Sequence, residues 1–368
     1  MKKAGVYIHV PFCLKKCNYC SFYSVKYDDN SAEKYLNELL SEIRNVAIAH
    51  QDTEIQTVYF GGGTPSALST EAIYRILNTI FKYFKHSQCE ITIEVNPILS
   101  DNIKYYREIG INRISVGVQS TDNKILKRLG RLHTAEEAIA CLDNTNKYFD
   151  NVSADLIIGV NDNQDINSDL DILLPRIHHL SSYMLSVEPG TTLYKMVHAK
   201  SISVASEERV VEQYNELYKK CTDNCFHRYE ISNFSRKGYE SKHNSSYWKL
   251  TDYFGFGPAA HSYIDGVRYY NSPVLERYLS GEHSGKNRQI IEREKSIEED
   301  RLEYLMLSLR TSAGIDLEDY RLRFNSDFLE DYSEKLKKAD GYLDVGNGRV
   351  CIRPQYFLVQ NSIIGELL

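Results

Sequence analysis

Val6-Tyr7-Ile8-His9-Val10-Pro11-Phe12-Cys13-Leu14-Lys15-Lys16-Cys17-Asn18-Tyr19-Cys20-Ser21-Phe22 is the stretch on which the reading of the chain turns. Residues 6–10 are rich in β-branched and aromatic side chains, as a strand is, and Pro11 follows them. Cys13, Cys17 and Cys20 then crowd into the loop at the strand's C-terminal end, with spacing Cys-x3-Cys-x2-Cys. Working outward, runs of the same strand-like kind recur at 55–60, 90–95, 112–118, 152–159 and 182–187, with helical-period segments between most of them. Residues 31–50 show that period: Tyr35, Leu36, Leu39, Leu40, Ile43 and Ala47 share one face. Thr134 with Glu137 reads as a capping box. Six such βα units predict an α/β fold, a partial, TIM-like (β/α)6 barrel whose site lies at the C-terminal ends of its strands.

Beyond a helix expected at 206–221, the pattern turns Tyr-rich and turn-rich to Asn271, then helical again at 297–309. The polar stretch 280–295 marks the candidate boundary of a small C-terminal α+β domain. The expected division is 1–235 for the barrel with its site, 236–290 for a connecting segment, and 291–368 for the small domain.

The chain's 368 residues support about two domains with cores that need no staples. Its 44 basic and 50 acidic side chains give a net charge of −6, without the basic excess of a nucleic-acid binder. No apolar run approaches the ~18–20 residues of a membrane span, and the start lacks a signal peptide's apolar stretch, so a cytoplasmic protein is expected. Peripheral membrane association stays open, as does the choice between monomer and homodimer. Eight cysteines are too few for a disulfide scaffold in a chain this long.

Three thiols in one loop allow three chemistries. Structural zinc wants a fourth ligand, and the nearest candidate, His9, lies inside the strand. Burial as small hydrophobes conflicts with the interleaved Lys15, Lys16 and Asn18. An iron-sulfur cluster held by three cysteines leaves one iron open to bind and activate a small molecule, and this reading is favoured. A second motif, Gly61-Gly62-Gly63-Thr64-Pro65, follows the second strand; glycines there let backbone approach a ligand closely, or simply make a tight turn.

Together these motifs resemble the radical S-adenosylmethionine (SAM) superfamily, and more narrowly its coproporphyrinogen dehydrogenase-like branch. The resemblance implies a 4Fe-4S cluster on Cys13, Cys17 and Cys20 whose unique iron chelates SAM, which electron transfer cleaves to a 5′-deoxyadenosyl radical. It places Tyr7, Tyr19 and Phe22 near the cofactor and Gly62, Gly63 and Thr64 on the methionyl amino group. Glu94 in IEVNP, Gln119 in SVGVQS, Arg131 in LGRLH and Asp155 in ADLIIG match further SAM contacts, each near a strand end. A carboxylate can accept both ribose hydroxyls, and Arg131 can pair with the SAM carboxylate. Thr121 replaces the usual Phe after GVQS, and Val160-Asn161 the usual Leu-Pro, so the loops beside the cofactor are expected to differ.

The segments Tyr229 to Phe234, His243-Asn244-Ser245-Ser246-Tyr247-Trp248 and GFGPAAHSY at 255–263 resemble the HemW haem chaperone family, with a likeness covering nearly the whole chain. That resemblance implies haem or porphyrin as ligand and haem-accepting proteins as partners, with His243 as candidate axial ligand, since imidazole suits iron. The competing reading is an oxygen-independent coproporphyrinogen III dehydrogenase-like enzyme of porphyrin biosynthesis. Its motif carries a further cysteine where this chain has Phe22, and its members carry an extension before the first strand, so that activity is not expected. No catalytic residue is assigned. Zinc in a non-redox binding module is a third class, but it leaves the glycine loop, Glu94, Gln119 and Asp155 unexplained. Cys221 and Cys225, four apart, are expected as core-facing thiols on a helix.

Overall fold

The computed structural model describes residues 2–281, the backbone of 289–292, and 296–368. Six strands lie side by side in chain order: β1 (Lys2–Val10), β2 (Thr53–Gly62), β3 (Lys85–Val95), β4 (Arg113–Gln119), β5 (Val152–Ile158) and β6 (His179–Met184). Every neighbouring pair among them is parallel. β1 and β6 do not pair with each other, so the barrel stays open. Beyond β6, β7 (His227–Arg228) and β8 (Asn233–Ser235) form an antiparallel edge. On the other side β9 (Tyr253–Phe256) pairs in parallel with β1, and β10 (His261–Ile264), β11 (Val267–Tyr270) and β12 (Gln289–Glu292) follow antiparallel. The stretch 236–290, expected to connect, therefore extends the sheet.

Helices cover the outer face because alternate strand residues there are aliphatic. Val6, Ile8, Val58, Phe60, Ile91, Ile93, Ile114, Val116, Ala154 and Leu156 are all buried in one continuous core. α1 (Asp29–Ala49), capped by the Asp28 carboxylate on the Ser31 N–H, buries Tyr35, Leu36, Leu39, Ile43 and Ala47 in that core. The expected capping box is present: Thr134 and Glu137 cap the helix Ala135–Thr145 reciprocally.

The inner face is polar instead. Thr57 and Tyr59 on β2, Glu90, Thr92 and Glu94 on β3, Arg113 and Ser115 on β4, Ser153 and Asp155 on β5, and His179 and Ser181 on β6 occupy the alternate positions. This explains the displaced last strand: the sequence pattern suggested 182–187, but β6 begins at His179, whose polar inward residues break the apolar run.

A separate core gathers Tyr304, Leu305, Tyr320, Phe328, Val350, Phe357 and Leu367 around the helix Ile297–Ser308 and a sheet of Ile315–Asp316, Arg349–Ile352 and Leu343–Gly346. The two cores divide between Tyr278 and Tyr304, on either side of the 280–295 boundary stretch, of which 282–288 and 293–295 lie outside the described residues. The Arg228 guanidinium lies 3.6 Å over the Phe357 ring and joins the two. Cys225 corrects its expectation: the helix Glu207–Asp223 ends before it, and it is exposed, whereas Cys221 is buried.

Candidate functional site

A cavity of about 380 Å³ opens at the C-terminal ends of the strands. Its wall includes Cys13, Cys17, Cys20, Tyr19, Phe22, Gly62, Gly63, Thr64, Glu94, Gln119, Arg131 and Asp155. Every expected cluster and SAM residue but one thus lines a single space. The exception is Tyr7, which lies beneath the wall with its hydroxyl 3.1 Å from His9 Nδ1.

The cysteine loop is held from both flanks. The Val25 N–H donates to the Pro11 carbonyl and the Tyr27 N–H to the Cys13 carbonyl. Asn18 takes the Leu129 and Arg128 carbonyls with its backbone and side-chain amides. The Thr64 hydroxyl points at Cys13 Sγ, 3.5 Å away, and Arg131 Nη1 lies 3.4 Å from Cys17 Sγ. Arg131 also donates to the Gly117 carbonyl at 2.7 Å, while its buried Nε has no hydrogen-bond partner.

These donors fit a cluster better than a single ion. Among the described residues no three His, Cys, Asp or Glu side chains converge where one metal could sit. His9, the candidate fourth zinc ligand, is engaged at both ring nitrogens, by the Tyr7 hydroxyl and the Tyr23 carbonyl. Three thiols set around one cavity wall suit a group whose irons each take one sulfur.

The glycine motif is built for close approach. Gly62 has φ of 106°, and a Cβ there would meet the His9 ring at 2.6 Å; at Gly61 a Cβ would meet Tyr59 at 2.9 Å and Glu94 at 3.1 Å. Across the cavity Gln119 ends β4 at a φ of 71°, a left-handed conformation that costs a non-glycine residue about 1–3 kcal/mol. Such strain concentrates at binding sites, and here it lies on the cavity wall.

Burial, with the Asp155 charge nearby, pushes Glu94 up to about 8, although the Tyr59 hydroxyl donates to it at 2.7 Å. Burial likewise lifts Asp155 to about 6 against the opposing hydrogen bond from Ser115. The Glu94 carboxyl, which keeps its proton at neutral pH, can donate as well as accept, while the mostly ionised Asp155 accepts; the pair suits a guest with hydroxyl, amino and carboxylate groups.

Sequence reasoning missed the β6 side of the cavity, where Tyr183, Met184, Leu185, Ser186 and Glu188 line the wall. The three-residue displacement of β6 hid them. It did not single out Glu90, Arg113 or His179 either, which lie buried deeper in the barrel. Thr121, a departure from the family pattern, ties its loop to Asp169, donating through N–H at 2.5 Å and hydroxyl at 2.6 Å.

His243 is not on the cavity wall. It sits at the start of α2 (Lys242–Trp248), 1% exposed, with Nδ1 2.8 Å from the Thr57 hydroxyl and Nε2 2.7 Å from the Tyr247 hydroxyl. The axial-ligand expectation thus meets an imidazole closed at both nitrogens.

An open parallel barrel with a three-cysteine loop after its first strand and a glycine loop after its second defines a radical SAM protein, and the radical SAM superfamily model matches residues 7–171. The HemN C-terminal domain model matches residues 296–357. "Heme chaperone HemW" of Bacillus subtilis is 31% identical over 100% of this chain and 99% of its own length. "Heme chaperone HemW" of Lactococcus lactis is 31% identical over 91% of this chain and 89% of its own. The structure of HemN, the coproporphyrinogen III oxidase of Escherichia coli described as a radical SAM enzyme, superposes with a TM-score of 0.84 over 100% of this chain and 90% of that one, at 21% identity, and so shares the fold. The chain belongs to the HemW family.

Proposed function

We propose that the chain is a haem chaperone of the radical SAM type, which binds a 4Fe-4S cluster on Cys13, Cys17 and Cys20, SAM in the adjoining cavity, and haem as cargo for acceptor proteins. The observation that carries this reading is the single cavity that joins the three thiols to Gly62, Thr64, Glu94, Gln119, Arg131 and Asp155, in a chain matching HemW proteins from end to end. Cluster and SAM together supply one-electron chemistry when bound. The protein's own part is to hold SAM by its amino, ribose and carboxylate groups, and to exclude water with Tyr19 and Ile157.

The mouth supports haem as cargo. Phe22 is 67% exposed there and Met184 38%, close to Lys15 and Lys16 on the same wall. A flat apolar ring bearing carboxylates is complementary to such a rim. Phe22 also stands where the dehydrogenases carry their extra cysteine, which favours carrying over converting. Among the described residues no helix is long and apolar enough to cross a membrane.

The test is to load anaerobically reconstituted protein with haem, then to incubate a second portion with SAM, reductant and coproporphyrinogen III. Stoichiometric haem that transfers to an apo-acceptor, without decarboxylated product, is expected. Product at catalytic turnover would establish the enzyme reading instead.

A further inference from the structure

We propose that His243 is a positioning residue for the SAM cavity, acting through Tyr59 on Glu94, rather than a ligand to haem iron. The inference rests on the reading of Glu94 as a SAM-contacting carboxylate.

α2 is seated by hydrogen bonds from below. The Glu90 carboxylate, buried on β3, accepts the backbone N–H of Lys242 at 3.1 Å and of His243 at 3.0 Å. The Ser241 N–H donates to the Tyr229 hydroxyl, which lies 2.7 Å from His179 Nε2. α2 is thereby fastened across the floor of the barrel by side chains of β3 and β6. Fastened so, it drives the His243 ring between β1 and β2. Gly5 makes room: a Cβ there would meet the Thr57 hydroxyl at 2.9 Å and His243 Nδ1 at 3.4 Å.

From that position the imidazole supports the next layer. Its ring stacks on Tyr59 at 5.1 Å between centroids with a 21° interplanar angle, and Tyr7 stacks 6.3 Å from Tyr59 and 6.4 Å from His243. Tyr59 spends its hydroxyl on Glu94. A rigid column thus runs from the floor to the cavity wall: Thr57 and Tyr247 fix His243, His243 fixes the plane of Tyr59, and Tyr59 aims one oxygen of Glu94. An iron ligand needs a free nitrogen lone pair facing open space, and here each nitrogen meets a hydroxyl. The ring is neutral, as burial requires, so one nitrogen donates and the other accepts.

Three variants test the column in the cluster-loaded protein: His243→Ala, Tyr59→Phe, which keeps the ring and loses the hydroxyl, and the double variant. SAM affinity is read by equilibrium dialysis, with iron content and melting temperature in parallel. Each single change is expected to weaken SAM binding about tenfold with iron unchanged, and the double change to lose no more than the larger single one, because both break the same column. Should His243→Ala fail to fold, Thr57→Val removes the Nδ1 contact at nearly constant volume and is expected to give the same loss. Rescue of part of the affinity by His243→Gln, which restores a bond to Tyr247, would support positioning. Fully additive losses, or SAM affinity unchanged in His243→Ala, would overturn the proposal. So would a haem spectrum altered in His243→Ala but not in Tyr59→Phe with SAM affinity intact, which would make His243 the iron ligand. Failure of the wild-type protein to bind SAM at all would instead remove the reading of Glu94 on which the column depends.

Discussion

The two ends of the barrel interior are built from the same residue types and do opposite things with them. At the floor, polar groups face one another: Thr57 with His243, Glu90 with the first amides of α2, Ser153 with His179, His179 with Tyr229. At the mouth, Cys13, Cys17, Cys20, Glu94 and Asp155 all border one open cavity. Paired polar groups rigidify and specify a structure; groups aimed at a cavity wait for a guest. Substitutions at the floor should therefore cost stability first, and those at the mouth should cost binding first.

The largest effect is expected at the mouth. Cys17→Ser should abolish the visible charge-transfer absorption of a reconstituted cluster while leaving the fold intact by circular dichroism; a full cluster in this variant would take Cys17 out of the ligand set. At the floor, Glu90→Ala leaves the buried His243 amide and the half-buried Lys242 amide without their carboxylate and should lower unfolding free energy by about 2–3 kcal/mol in urea titrations, with cluster content unchanged in the native protein. Loss of the cluster without loss of stability would break the contrast. Asp155→Ala is the matching change above: SAM binding should weaken by about 1–3 kcal/mol with the cluster retained, and unchanged affinity would remove Asp155 from the site.

A pH dependence singles out Glu94. Glu94 holds its proton up to about 8 in the folded protein, against an ordinary value of 4.5. The folded state therefore binds more protons than the unfolded one between those values, and stability falls as pH rises through that window. Glu94→Gln carries no such liability. Its melting temperature relative to the wild type, measured without SAM, should rise from about pH 4.5 to about pH 8 and then level. A constant difference across the range would mean that Glu94 is solvated rather than buried.

The outer half of the fold could be read from the sequence because it obeys local rules. Strands whose outward residues are aliphatic, helices with one apolar face, and the Thr134–Glu137 cap are patterns within a few residues. The cysteine loop, the glycine loop and the strand-end polars were legible for the same reason, since each sits at a fixed offset from a strand. What was not legible is the inner face. There polar residues interrupt the apolar runs, which displaced the start of β6 and hid Tyr183, Met184 and Glu188. The floor depends on pairings far apart in the chain, such as Thr57 with His243 and Glu90 with Lys242, and no local pattern announces them. His243 was singled out because its motif is recognisable, and its closure at both nitrogens emerges only when β2 and α2 are brought together.

Above all, the mouth should hold a cluster and SAM together. Its most direct test is the iron, acid-labile sulfide and zinc content of anaerobically reconstituted protein, followed by SAM binding at equilibrium. Iron and sulfide in the proportions of a 4Fe-4S cluster, with one SAM bound per chain, is the result predicted; stoichiometric zinc without sulfide, and no SAM binding, would contradict it.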